Sequence, residues 1–349
     1  MVRLAATVLV AGLLSACQPG EEAERQQAHF HAMGTRIDLT LIEGPLSTES
    51  ATRLIESHFE VHEQRWDGWG GGELGRLNQR LANDGQANVP ASLRDGIEQA
   101  LLLGQQSEGL FHPGIGALVE TWSFHRQPRK AGPPPSEESL HGLLESLPPV
   151  SALQLDSGLL RGPGQGFRLD LGGFAKGLSL DRLHENLDAA GLEHGIINAG
   201  GDLLALGRAG GDSVDARAWR IGILDPRGDG VLAGVTVTDG ECVMTSGDYE
   251  RTFEHDGEAY HHILDPRTGH PADASASVTV ISTECARADA AATALFVAGP
   301  GAWPELAAQM EVDTVMLVTP DGQVELSPAM EARIEFDQRQ PDVTVKALP

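Results

Sequence analysis

Basic residues are scarce in this 349-residue chain: 25 Lys plus Arg stand against 50 Asp plus Glu, a formal charge of −25. Binding to a phosphate backbone needs a basic surface, so nucleic acid is excluded as the natural partner. The acids are spread along the chain and read as a solvated surface, not as one acidic patch. Aromatic content is only 5% and argues neither for nor against a flat cofactor. Of three cysteines, Cys242 and Cys285 are the two that remain after Cys17. They either pair in an oxidising compartment or stay as two buried thiols. No internal repeat is found. What is present, 41% hydrophobic and 21% charged residues, is the composition of a folded protein of one large domain or two modest ones.

The opening MVRLAATVLVAGLLSAC sets Arg3 before an apolar run of signal-peptide length, too short for a comfortable membrane span, and then small residues before Cys17. This is an export signal. Residues 14–17, LSAC, resemble the bacterial lipobox, whose cysteine is lipidated and becomes the new N-terminus. A plain secretory signal with an incidental cysteine is the alternative. Residues 18–28 then form a polar tether, and residues 326–349 a C-terminal tail. The expected location is the bacterial cell envelope, lipid-anchored on the periplasmic side of the inner membrane. Gln18 itself gives no signal for inner-membrane retention.

Residues 29–44 end in strand-like alternation, and residues 49–66 and 92–109 carry apolar residues at helical spacing. Residues 126–139, RQPRKAGPPPSEES, form a loop because proline and glycine break regular structure, and this loop divides two lobes. Beyond it, strand-like runs (GFRLDLG, HGIINAGGDLLALG, AWRIGILDP, GVTVTDGECVMTSG, ASVTVIS, TVMLVTPDG) alternate with helices over 176–190 and 286–297. Hairpin-like neighbours in this mixture favour α+β over a doubly wound parallel sheet.

Four segments carry chemistry. In RLDLGGFAKGLSLDRL, Gly172-Gly173 lead into a helix with Lys176 near its start, so free amides and a positive charge can meet an anion, although a tight turn fits the segment equally well. INAGGDLLALG reads as an architectural turn, because Asn, Gly and Asp each favour one. TSGDYERTFEHDGEAYHHILDPRTGHP holds Ser246, Arg251, His262 and Asp265. A histidine near a carboxylate moves protons at neutral pH, whereas a lone histidine is more often structural. In RADAAATALF, Asp289 and Thr293 stand at i and i+4 on one helix face, a pair of oxygens that suits a hard cation such as Mg²⁺. A back-bonded threonine and a dipole-stabilised aspartate would explain the same pair.

In this order, AMGT, ELGRLN, LDLGGFAKG, NAGGDLLALG, TSGDYER, HHILDPRTGHP and ADAAATALF resemble the ApbE family, the FAD:protein FMN transferases, formerly called thiamine biosynthesis lipoproteins. The resemblance spans residues 29–325. It implies an α+β, T-fold-related, two-lobed flavin transferase domain. It also implies a Mg²⁺-dependent enzyme that cleaves FAD, releases AMP and esterifies FMN to a threonine of a target flavoprotein. The partners it implies are flavoprotein subunits of membrane electron-transfer complexes, reached through the lipid anchor. Carried onto this chain, the metal ligands are Asp289, Thr293 and the Gly173 carbonyl. Lys176 lies near the phosphates, and His262 is the functional histidine, with Asp265 as another proton acceptor. The FAD contacts fall on Met33, Trp66, Asn78, Phe111, His112, Lys176, Ser246 and His262. Two departures stand out: Phe111-His112-Pro113 replaces a Phe-Asp-Pro pattern, and the spacing in WDGWGGGEL is shifted. A pyrophosphatase giving FMN and AMP would use the same metal and phosphate site, and a non-catalytic FAD-binding lipoprotein is a further alternative.

Overall fold

The computed structural model describes residues 25–42, 44–126, 132–212, 216–337 and 341–349. The export signal, Cys17, the first part of the tether and residues 127–131 of the proline-rich loop lie outside them. Among the described residues, no helix is long and apolar enough to cross a membrane.

A nine-stranded sheet organises the chain. Its order is Arg25–Ala32, Thr35–Ile42, Gly195–Ala199, Asp202–Leu206, Cys242–Gly247, Ser277–Ser282, Thr314–Val318, Val324–Leu326 and Val343–Val345. Every neighbouring pair is antiparallel except the last, which is parallel. Side chains alternate across a strand, so a strand that is apolar throughout must be covered on both faces. Leu204, Met244, Val280 and Leu317 point into a core shared with the helices. Their neighbours Ala205, Val243, Ile281 and Met316 face a second core. That second core is closed by a three-stranded sheet of Ile334–Phe336, Val231–Val237 and Trp219–Leu224. The mixed, hairpin-rich α+β expectation is therefore met.

Four sequence expectations need correction. The segment read as tether already belongs to the sheet from Arg25 onward, because Arg25–Ala32 pairs along its whole length with Thr35–Ile42. The supposed tail contributes two paired strands and the Pro328–Glu331 helix: Leu326, Met330, Ile334 and Phe336 join the second core, and the exposed strand Val343–Val345 pairs at the edge of the large sheet. GFRLDLG forms no strand. Its backbone groups are taken by other partners: Leu169 exchanges hydrogen bonds with the Asn78 side chain, the Asp170 N–H donates to the Pro113 carbonyl, and the Arg168 carbonyl accepts from Gly116. In addition, the 126–139 loop ends early, at the helix Glu137–Ser146 capped by Ser136. The main helical core draws on residues from both sides of that loop, with Leu93 and Phe111 packed alongside Leu180 and Phe296.

Candidate active site

Two helices, Ala175–Ala190 and Cys285–Ala298, build the floor of the site. The second is so rich in alanine that nearly every side is buried, and alanine lets neighbouring backbones approach closely. Gly177 is where they touch: a Cβ there would lie 2.2 Å from the Cys285 carbonyl oxygen. Contact this close lets the first helix supply what the second lacks. Asp181 accepts hydrogen bonds from the otherwise unpaired Cys285 and Ala286 amides at 2.7 and 2.9 Å. In return, the Gly177 amide in the first turn donates to Asp289 Oδ2 at 2.9 Å.

Asp289 is 5% exposed, and burial, then the nearby Asp202, push its carboxyl well above the usual carboxylate range despite Lys176 and the Gly177 N–H. One turn further on, Thr293 Oγ1 lies 3.3 Å from Ser246 Oγ. Gly173 approaches the same hydroxyl so closely that a Cβ would fall 2.5 Å from it. The three expected metal ligands are thus adjacent. They offer only oxygen around a buried carboxylate, a donor set that fits a hard divalent cation.

Lys176 forms an ion pair with Asp202, whose side chain is 3% exposed. Burial alone would lower the ammonium, but Asp202, Asp289 and Glu250 outweigh it and hold the group protonated. The hairpin carrying Asp202 turns through Gly200 and Gly201, both at positive φ, with Asn198 Oδ1 accepting from the Gly201 amide. The architectural reading of that segment holds, yet its Asp202 anchors the site's lysine.

His262 Nδ1 lies 3.2 Å from the Glu250 carbonyl oxygen. A carbonyl only accepts, so Nδ1 carries the proton and Nε2 keeps a lone pair. Burial, then the charge of Arg251, push this imidazole down to about 3. It is therefore neutral at physiological pH, with Nε2 unprotonated.

Met33, Trp66, Phe111, His112, Gly173, Lys176, Ser246, His262, Asp289 and Thr293 all line one cavity of about 480 Å³. Met33 sits there on the two-residue turn of the first hairpin, where it and Gly34 both take positive φ, 52° and 71°. Two expected residues are elsewhere. Asn78 is fully buried behind the wall, donating to the Gly68 and Leu169 carbonyls and accepting from Leu169. Asp265 is not part of the cavity lining; its carboxylate holds the Arg267 amide and guanidinium within the DPRTG turn. His112 accepts from the Gly114 amide through Nδ1 at 3.0 Å and donates from Nε2 to the Pro148 carbonyl at 2.8 Å. It thus holds the local i to i+2 turn that a carboxylate would hold. Burial keeps it neutral by lowering its pKa.

The structure adds an aromatic wall that the sequence did not reveal in full. The Trp69 indole stacks on His125 at 4.5 Å and donates to Asp170 Oδ2 at 3.0 Å, while Asp170 Oδ1 accepts from the Gly172 amide at 3.0 Å. Asp170 therefore ties the wall to the glycine turn. Its place in LDLGG was the available signal, whereas nothing in the sequence pointed to His125. Glu250 is another cavity residue not singled out from the sequence. Cys242 and Cys285 are joined by a disulfide with 5.4 Å between their Cα atoms, so the free-thiol alternative does not apply.

Comparison with known proteins places this architecture among relatives. The model of the ApbE family matches residues 33–316. An FAD:protein FMN transferase of Rhodobacter capsulatus is 38% identical over 311 residues, 88% of this chain but 58% of that protein, so the chain spans less than two thirds of it. One from Treponema pallidum (strain Nichols) is 35% identical over 75% of this chain and 74% of its own. Among solved structures, the ApbE protein of Thermotoga maritima has a TM-score of 0.79 at 27% identity, covering 91% of this chain and all, 100%, of that one. The flavin transferase ApbE of Vibrio cholerae has a TM-score of 0.76 at 25% identity, covering 89% and 99%.

Proposed function

The chain belongs to the ApbE family, and on that premise we propose that it is an FAD:protein FMN transferase, which moves FMN from FAD to a threonine hydroxyl of a flavoprotein and releases AMP. The observation that carries this reading is the convergence of Asp289, Thr293, Gly173, Lys176 and His262 on one cavity whose wall also offers aromatic faces.

Asp289, Thr293 and the Gly173 backbone are the groups that would hold a divalent cation of the Mg²⁺ class, which when bound neutralises charge on a pyrophosphate. The chain's own residues do the rest. Lys176, kept charged by Asp202, supplies a fixed positive charge on the cavity wall beside Asp289. His262, fixed by the Glu250 carbonyl, accepts at Nε2 the proton of the attacking hydroxyl. A bond forms between the threonine oxygen and the FMN phosphorus as the bond from that phosphorus to the bridging oxygen breaks. AMP departs with that oxygen. The Trp69 and His125 faces and the Trp66 wall provide stacking surface for the planar ends of FAD.

The proposal includes location. Cys17 is lipidated, which tethers the domain to the outer face of the cytoplasmic membrane beside flavoprotein subunits of electron-transfer complexes. Metabolic labelling with a fatty acid, lost in Cys17→Ala, tests this part.

The reaction is tested by incubating the chain without residues 1–17 with FAD, Mg²⁺ and an acceptor flavin domain, followed by intact-mass measurement. A gain of one FMN on the acceptor, abolished by EDTA and by Asp289→Ala, is the expected result. AMP and free FMN without acceptor labelling would overturn it in favour of hydrolysis, and bound but unchanged FAD in favour of a carrier.

A further inference from the structure

On the far side of Trp66 lies a separate open cavity of about 460 Å³, lined by His58, Val61, His62, Arg65, Arg182 and Asn186 among others. In a chain with a formal charge of −25, it gathers two guanidiniums with few partners. Arg182 has no ion pair or side-chain hydrogen bond among the described residues; its guanidinium rests over the Trp66 ring at 5.4 Å. Arg65 reaches one carboxylate, Glu73, and only at 3.7 Å, and its Nε is buried with no hydrogen-bond partner. The Arg65 side chain is 33% exposed, so this is one buried donor atom on a partly solvated guanidinium that an anion entering the cavity can reach.

The imidazoles beside them are held rigidly. His62 and His58 donate from Nε2 to the Ala175 and Ser179 carbonyls at 3.0 and 2.9 Å, and their rings stack 6.0 Å apart, His62 in turn stacking on Trp66. Two histidines at i and i+4 on one helix are a metal-ligand spacing, but the two guanidiniums make the site repel a cation. Burial and the charge of Arg182 and Arg65 lower both imidazoles, while the Asp95, Glu185 and Asp181 carboxylates attract Arg182 without forming an ion pair with it. Planar guanidiniums with free N–H groups match tetrahedral oxyanions.

We propose that Arg65 and Arg182 form a second anion site, separate from the flavin cavity, that takes a phosphate group, either a free phosphate or phosphate ester or the headgroup of an anionic phospholipid. Neither the cavity nor its residues take part in the transfer chemistry, so the proposal stands apart from the flavin reading.

The test is calorimetric titration of the chain without residues 1–17 with inorganic phosphate, paired with flotation on vesicles of phosphatidylcholine with and without phosphatidylglycerol, so that no lipid anchor contributes to vesicle binding. Wild type is compared with Arg65→Gln and Arg182→Gln, which keep most of each stem, and with Arg182→Lys, which keeps the charge but loses the fork. Saturable phosphate binding weakened at least tenfold in each Gln variant identifies a soluble phosphate ligand. Flotation that depends on phosphatidylglycerol and falls in the same variants, without binding of free phosphate, identifies the lipid headgroup. Arg182→Lys is expected to fall between wild type and Arg182→Gln, and it carries the comparison if the Gln variant does not fold. Absence of both signals, or signals equal in wild type and variants, overturns the proposal.

Discussion

Gly177→Ala sets local propensity against packing at the point where the two floor helices touch. In an exposed helix, alanine would be favoured over glycine by about 1 kcal/mol. Here the added Cβ would lie 2.2 Å from the Cys285 oxygen, 2.6 Å from its carbon and 2.7 Å from Ala286 Cα, all backbone atoms. No side chain can swing aside, so relief requires the helices to part by about 1 Å, and overpacking of this kind costs about 1–3 kcal/mol. Because only backbone can yield, the upper end applies and the net loss is about 2 kcal/mol, a fall in Tm of roughly 4 °C at this chain length. The functional loss is larger. The Gly177 amide that holds Asp289 moves away with its helix, and misplacement of a reacting group by about 1 Å costs on the order of 100-fold in rate. Thermal unfolding and single-turnover FMN transfer read the two effects separately. A variant about 1 kcal/mol more stable than wild type, with full activity, would refute the claim that this glycine sets the position of Asp289.

Three further outcomes follow from the same geometry. Reducing the Cys242–Cys285 bond, which spans 43 residues, frees loop entropy in the unfolded chain worth about 4 kcal/mol, so the urea midpoint measured with and without dithiothreitol is expected to drop; an unchanged midpoint contradicts this. Lys176→Met leaves the buried Asp202 carboxylate uncompensated and costs about 3–5 kcal/mol; Lys176→Met with Asp202→Asn recovers stability in denaturant titration but not FMN transfer, whereas recovery of both would remove Lys176 from the chemistry. His62 is pushed down to about 3 by burial first and by the charge of His58 and Arg182. Between pH 6.5 and 3 the unfolded chain therefore binds a proton that the folded chain does not, so the stability His62 provides is present above pH 6.5 and is lost as pH falls through this window, at about 1.4 kcal/mol per pH unit. Tm against pH should fall less steeply on the acid side in His62→Gln; parallel curves would show that the folded chain protonates this residue normally.

How much of this was legible in the sequence depended on how far apart the cooperating residues lie. Helical periodicity fixes which residues share a face, so Asp289 and Thr293 were readable as a pair from one segment. Alternation and turn residues likewise gave the hairpin around Gly200 and Gly201 and the helix following Gly173. Periodicity says nothing about what packs on the far side of an element. GFRLDLG has strand composition, but the Asn78 side chain, 91 residues away in sequence from Leu169, takes the hydrogen bonds a neighbouring strand would have taken. The C-terminal segment read as a tail because its short apolar runs acquire meaning only against a second core assembled from strands far apart in the chain.

The buried carboxylate brings both limits together. An aspartate inside an alanine helix announces that something must satisfy it, because an isolated charge in such a place is too costly to keep. The sequence alone leaves open whether a cap, a counter-ion or a metal does so. In the folded chain the demand is met only in part. The Gly177 amide, 112 residues away in sequence, takes one oxygen. The nearest fixed cation, Lys176, is drawn instead to Asp202. Two buried carboxylates thus share one ammonium, and burial first, then the charge of Asp202, raises the Asp289 pKa, a shift that an added divalent charge would oppose. Selection for folding alone would pair Lys176 with Asp289 and dispense with Asp202, or replace all three by apolar residues at no loss of stability. On the proposed reading, the surplus negative charge beside Thr293 is the part of the site that folding leaves unfinished for a cation and its phosphate ligand.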